Sequence, residues 1–288
     1  MRLCRVKWLL GALCGPREEK PMRYHGLFRP EHDFAYAERA VKAGLAGFEL
    51  YGWVSQFPRE LVERYKENIR RIREELQAGL SVHAPIIDIN LGSINPKIRA
   101  LSMQEVKESL EFAREVGATA VVVHAAPGLL AMPEGKWSRE TQTPQMRGGL
   151  AEQEELTIRA LKDLADFAPD LLICLENLVF PHEIYRSPQE LQELVRKVNR
   201  SNVGITLDVG HAVIAGHNPL DYVHLLFDEL FHVHLHDNHG ETDEHLPLGQ
   251  GVIDYVGLIQ TLKQLGYQGA ITLEFDVEDP DRFADYLY

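Results

Sequence analysis

The chain has 288 residues, 45% of them hydrophobic and 25% charged, which argues against a disordered polymer and allows a large buried core. Its 30 basic and 43 acidic residues give a formal charge of -13, which disfavours a broad nonspecific nucleic-acid surface and leaves only a local basic groove open. Three cysteines (Cys4, Cys14, Cys174) with no close CxxC pair argue against a disulfide framework and for a reducing cytoplasm.

The chain begins MRLCRVKWLLGALCG, with basic residues ahead of a short apolar run, as in a secretory signal. The run is too short to span a bilayer, and no other stretch approaches the ~20 apolar residues a span needs. No membrane helix is expected, and the chain is read as cytoplasmic. From there short apolar runs alternate with segments of helical period. The expected strands are RYHGLF at 23–28, GFELYG at 47–52, LSVHAP at 80–85, AVVVHA at 120–125, LLICLEN at 171–177, VGITLD at 203–208, FHVHLHD at 231–237 and AITLEFD at 270–276. Helix starts are expected at Asp33, at Ser102 with Glu105 three residues on, and at Ser187 followed by Pro188 and Glu190. Gly44 and Gly117 mark two helix ends.

Strands separated by helices in this way close most simply into a (β/α)8 TIM barrel, an α/β fold of about 250 residues, with an open doubly wound sheet as the alternative. Residues 1–21 are then an N-terminal extension and 22–288 a single barrel domain. The one long insertion, at 127–150, reads as an active-site lid, and its Lys136, Arg139 and Arg147 suit an anionic substrate.

A barrel strand should be apolar throughout, yet nearly every one here ends in an ionisable residue. These are His83, His124, Glu176, Asp208, His234 and Glu274. One such residue is easily held by a backbone amide or a water. Six on one rim would carry a prohibitive desolvation cost without shared cations. His211, three residues beyond Asp208, and the pair Asp243 and His245 in ETDEHLPLG extend the set of candidate ligands. Five imidazoles and four carboxylates exceed one coordination shell and suggest two or three ions, zinc first, with manganese, iron, cobalt or magnesium as rivals.

His232 and His236 flank His234 at alternate spacing, so one of them could share its face. His25, His32, His182, His217, His224 and His239 read as surface or loop residues, with His25 the least settled because it lies within the first strand. Cys174 reads as a small core residue. Glu49 and Tyr51 alternate onto one face of the second strand with Trp53 at its mouth. These three, with Asn177 and Arg147, are the candidate substrate contacts.

The pieces SVHAPIIDINLGS, VVVHAAPG, LLICLEN, ITLDVGHAVIAG, HVHLHDN, DEHLPLGQGVIDY and ITLEFD, in that order, resemble the xylose isomerase-like TIM barrels. That family holds sugar isomerases and epimerases as well as endonuclease IV enzymes. For the sugar branch the resemblance implies one divalent metal on Glu176, Asp208, His234 and Glu274. Glu176 and Glu274 would there move a proton beside a metal-polarised carbonyl.

For the endonuclease IV branch it implies three zinc ions on all nine ligands and hydrolysis beside an abasic site. Two departures favour the sugar branch. The join between His234 and Asp243 is short, with HLHDN where the DNA enzymes carry HLND, and HAPIIDINLG lacks their inserting aromatic residue. The expectation is a metal-dependent isomerase or epimerase acting on a sugar or sugar phosphate. The alternatives are a zinc phosphodiesterase and a non-catalytic metal- or sugar-binding barrel, and a homo-oligomer stays open.

Overall fold

The structure, a computed structural model, describes residues 21–125, 144–180 and 183–288, with backbone alone at 144–148 and 150. The described residues form a closed barrel of parallel strands in sequential order. The strands are β1 (Arg23–Phe28), β2 (Gly47–Tyr51), β3 (Gly79–His83), β4 (Ala120–Val123), β5 (Leu172–Glu176), β6 (Val203–Asp208), β7 (Leu230–Leu235) and β8 (Ala270–Leu273). Pairing of Arg23 with Ala270 and of Gly26 with Leu273 closes the ring. Every expected strand is present.

The helices are α1 (Phe34–Lys42), α2 (Arg59–Glu75), α3 (Pro96–Val116), α4 (Pro144–Phe167), α5 (Pro188–Val198), α6 (Val209–Ile214), α7 (Pro219–Leu226) and α8 (Tyr255–Leu265). After β8 a 3-10 segment, Pro280–Tyr286, packs against α1. Arg39 of α1 pairs there with Asp281 at 2.7 Å and also with Asp279. Among the described residues no helix is long and apolar enough to cross a membrane.

Two of the expected helix starts act as caps. Asp33 accepts the Tyr36 amide, and Ser187 and Glu190 form a reciprocal capping box. The third is corrected. Helix α3 begins earlier, at Pro96, capped by Asn95, because Asn followed by Pro supplies both an N-cap acceptor and a preset first turn. Ser102 lies inside that helix, accepting the Asn90 amide and donating to the Ile98 carbonyl.

The apolar layer between strands and helices includes Phe28, Phe48, Tyr65, Ile69, Ile72, Leu110, Leu161 and Leu164, all fully buried. Each large side chain contributes about 1.5–3 kcal/mol by leaving water. Tyr65 ties this layer to the strand ends, donating its hydroxyl to the Phe28 carbonyl at 2.8 Å and accepting the Tyr51 amide at 3.0 Å. The barrel interior is less apolar. Ser81, Thr272, His232, Glu49 and His25 are buried where branched aliphatic residues normally fill such a barrel. His25 is therefore not the surface or loop residue first expected.

Candidate metal centre

All nine candidate ligands lie at or just beyond the C-terminal ends of the strands, where the barrel rim gathers side chains from distant parts of the chain. Imidazole nitrogens and carboxylate oxygens fall into groups whose members lie within 4.8 Å of one another: His83, His124 and Glu176; Glu176, Asp208, His234 and Glu274; His211, His236, Asp243 and His245; and Glu49, His83 and His234. Glu176 belongs to the first two and joins them. Its Oε2 is 3.2 Å from His83 Nε2, 3.1 Å from His124 Nε2 and 3.7 Å from His234 Nδ1.

The proton positions test whether these groups suit an ion. His83, His211 and His245 each place Nδ1 against a backbone carbonyl, of Ala84 at 2.8 Å, Asn177 at 2.9 Å and Glu274 at 2.7 Å. A carbonyl only accepts, so Nδ1 carries the hydrogen and the neutral ring offers a bare Nε2 lone pair. Each Nε2 then faces a carboxylate oxygen at 3.2 Å: His83 faces Glu176, while His211 and His245 face the same Asp243 oxygen. Two lone pairs so placed repel unless a proton or a cation lies between them.

Ligand atoms around a tetrahedral zinc sit roughly 3.3 Å apart, close to these separations. His234 Nδ1 and Glu274 Oε2 lie 2.9 Å apart, and neither completes a hydrogen bond although both are buried. The donor set fits divalent ions.

Electrostatics agrees with that fit. Burial alone would raise the Glu176 and Asp208 carboxyls, but the facing histidines hold both well below the usual range. Burial would likewise depress His245, yet Asp243 and Glu274 raise it to about 9, and His211 and His234 are raised well above their ordinary value. Shifts in these directions favour a proton shared within each pair, which a bound metal would displace.

A raised histidine stabilises fully below its ordinary pKa of 6.5, and that contribution is lost as pH climbs through about 9. The depressed Asp243 stabilises above its ordinary 3.8 and loses that contribution as pH falls. The melting temperature of chelator-treated protein is thus expected to fall between about pH 7 and about pH 10, while the increment from added zinc grows. Thermal scans with and without zinc at both ends of the range check this. A constant zinc increment would contradict it.

Local structure delivers the ligands. Asp208 ends β6 and caps α6, accepting the His211 amide at 2.6 Å, which fixes those two ligands relative to each other. Asn177 clamps the same corner, donating to the Asp208 carbonyl at 2.9 Å and accepting its amide at 2.8 Å. This nominated substrate contact is fully buried and turned toward that backbone.

The loop after β7 is built on Asp237, whose carboxylate accepts the amides of Asn238 and Gly249 at 2.9 Å, Gly251 at 2.9 Å and Ile253 at 3.1 Å. A Cβ on Gly251 would lie 2.2 Å from the Asn238 carbonyl, so only glycine fits there. The loop returns Asp243 and His245 to the rim.

Above the ligands opens a cavity of about 200 Å³ lined by Leu27, Glu49, Leu50, Tyr51, Trp53, His83, Ile86 and Glu274. Tyr51 and Trp53 meet edge to face, ring centres 4.6 Å apart, on one side of it. The nominated Glu49, Tyr51 and Trp53 thus share one cavity. Lys136, Arg139, His182 and most of the expected lid lie outside the described residues, and so does the Arg147 side chain.

Sequence reasoning left His236 unassigned. It is fully buried, approaches Asp208 at 3.2 Å and stacks on His245 at 4.1 Å. His232, too, points into the barrel. Both were foreshadowed by the i, i+2 spacing of HVHLH, since strand alternation turns all three rings inward. Room for His236 comes from Gly210, whose Cβ would lie 2.0 Å from its ring.

Similarity to known proteins adds a family to this geometry. The uncharacterized protein MJ1311 of Methanocaldococcus jannaschii is 31% identical over 254 residues, covering 86% of this chain and 80% of the relative. A protein described as probable endonuclease 4 of Mycobacterium leprae is 27% identical across 64% of this chain and 69% of its own length. Among solved structures, a D-tagatose 3-epimerase-like protein superposes with a TM-score of 0.73 at 26% identity, covering 91% of this chain and 94% of that one. The family model described as xylose isomerase-like TIM barrel matches residues 37–286, and the chain belongs to that family.

Proposed function

We propose that the protein is a metal-dependent sugar isomerase or epimerase that moves a proton at a carbon beside a carbonyl. The observation that carries this reading is the double placement of Glu274. Its carboxylate lines the cavity, and its Oε2 lies 2.9 Å from His234 within the four-residue group that includes Glu176 and Asp208. Glu176, Asp208, His234 and Glu274 would hold the ion, which when bound supplies polarisation of a sugar carbonyl.

Glu274, with 15% of its side chain exposed, is the carboxylate open to substrate and takes or returns the proton. Glu176, at 2%, is the buried partner. Trp53 and Tyr51 offer the apolar wall against which a sugar ring packs. The substrate class also accords with the D-tagatose 3-epimerase-like structural relative.

The test is incubation of zinc- or manganese-loaded protein with free and phosphorylated ketoses in deuterium oxide. Deuterium is expected at the carbon next to the carbonyl. Metal-loaded protein that exchanges no ketose of the panel would sink the proposal.

A second reading, a zinc phosphodiesterase acting on abasic DNA, draws on the full set of nine candidate ligands in linked groups and on the endonuclease relative. Replacing both Asp243 and His245 by Ala separates the two readings. The expected result is a lower metal count by elemental analysis with ketose exchange retained. Incision of abasic duplex at low salt by the parent protein, abolished in the double variant, would favour the phosphodiesterase.

A further inference from the structure

We infer that Glu49 is a positioning residue, which fixes the ring of His234 and leaves its Nδ1 free for a metal ion. This rests on the metal site proposed above. The comparison among the histidines carries it. His83 and His245 each have the ring nitrogen remote from the cluster tied to a backbone carbonyl.

His234 lies within the last paired residues of β7, fully buried, where neighbouring carbonyls belong to the strand ladder. Its other nitrogen, Nε2, lies 3.0 Å from Glu49 Oε1 instead, and neither atom completes a hydrogen bond with any group. At that separation a small rotation of either group lets the carboxylate accept an Nε2 hydrogen, as the carbonyls do for the other rings, while Nδ1 already faces Glu176, Asp208 and Glu274.

Glu49 is itself anchored. Its Oε2 faces His232 Nε2 at 2.9 Å and accepts from Ser81 Oγ at 3.1 Å, with Thr272 Oγ1 at 3.4 Å. At 1% exposure it lies at the base of the cavity, with one oxygen held by the barrel and the other presented to His234. It acts through that ring and not on the sugar. Gln cannot replace it, because one end of the amide donates. Either His234 Nε2 or the His232, Ser81 and Thr272 side then loses its acceptor.

The test measures zinc and cobalt binding to the full-length protein and to Glu49→Ala and Glu49→Gln by competition with a chromophoric chelator, with the cobalt absorption spectrum as a second readout. Affinity is expected to fall about 10- to 100-fold in both variants, the usual effect of losing such a support. The cobalt spectrum should shift in both variants. If Ala does not fold, Gln decides the matter alone.

Metal affinity within about twofold of the parent would overturn the inference, since supports of this kind matter more. So would loss of one whole equivalent at saturating metal, which would make Glu49 a ligand, or loss of ketose binding alone, which would make it a substrate contact. A parent protein that binds no metal would instead refute the metal reading itself.

Discussion

Replacing Glu274 by Gln is expected to slow solvent exchange at the substrate carbon by about 10²- to 10⁴-fold, the usual contribution of a positioned general base. The amide keeps the shape of the side chain and one oxygen for an ion, but it cannot take a proton at neutral pH. Its effect should therefore fall on the rate more than on sugar binding. Deuterium incorporation followed by NMR, with metal content measured in parallel, separates the two roles. An undiminished exchange rate in a variant that still carries its metal would remove Glu274 as the base. Glu176→Gln should behave differently, because that carboxylate faces His83, His124 and His211 at 3.1 to 3.2 Å and joins two groups. Its loss is expected to show first in the metal count.

Replacing Asp237 by Ala is expected to lower stability by about 3 kcal/mol or more, from the loss of charge-assisted hydrogen bonds and the burial of unpaired amides. For a chain of this size that corresponds to a fall in melting temperature of roughly 5 °C or more. Asp237 is buried, and its acceptors serve the amides of Asn238, Gly249, Gly251 and Ile253. Asn keeps one acceptor oxygen and should lose less. Since the same loop carries Asp243 and His245, metal capacity should fall together with the melting temperature. Calorimetry and elemental analysis on one preparation check both, and an unchanged melting temperature would mean that the loop is held by other contacts.

The barrel was legible in the sequence because each strand is a short apolar run bounded by turn residues, and because ionisable residues recur at the C-terminal ends of those runs. Convergence on one rim follows from that placement together with the fold. What remained hidden was of another kind. Ser102 looked like a cap because of Glu105, but Asn95 and Pro96 preset the helix start upstream.

His236 could not be assigned from alternation alone, since its place depends on the space that Gly210 leaves beside it. Asp237 looked like one more acid in a histidine-rich run. Its hydrogen bonds reach residues up to 16 positions away, which no local pattern encodes. Glu49 was marked for its position at the cavity, whereas its approach to His232 and His234 depends on β2 and β7 facing each other across the closed barrel.

That approach also bears on how strand order is enforced. Glu49 comes from β2, Ser81 from β3, His232 and His234 from β7, and Thr272 from β8, so no local hairpin can bring these groups together. A slip of β7 by one residue would turn both histidines outward and leave Glu49 buried beside apolar side chains. The polar layer inside the barrel thus penalises wrong register more strongly than a uniform aliphatic filling would, because aliphatic residues exchange places at little cost and an abandoned carboxylate does not.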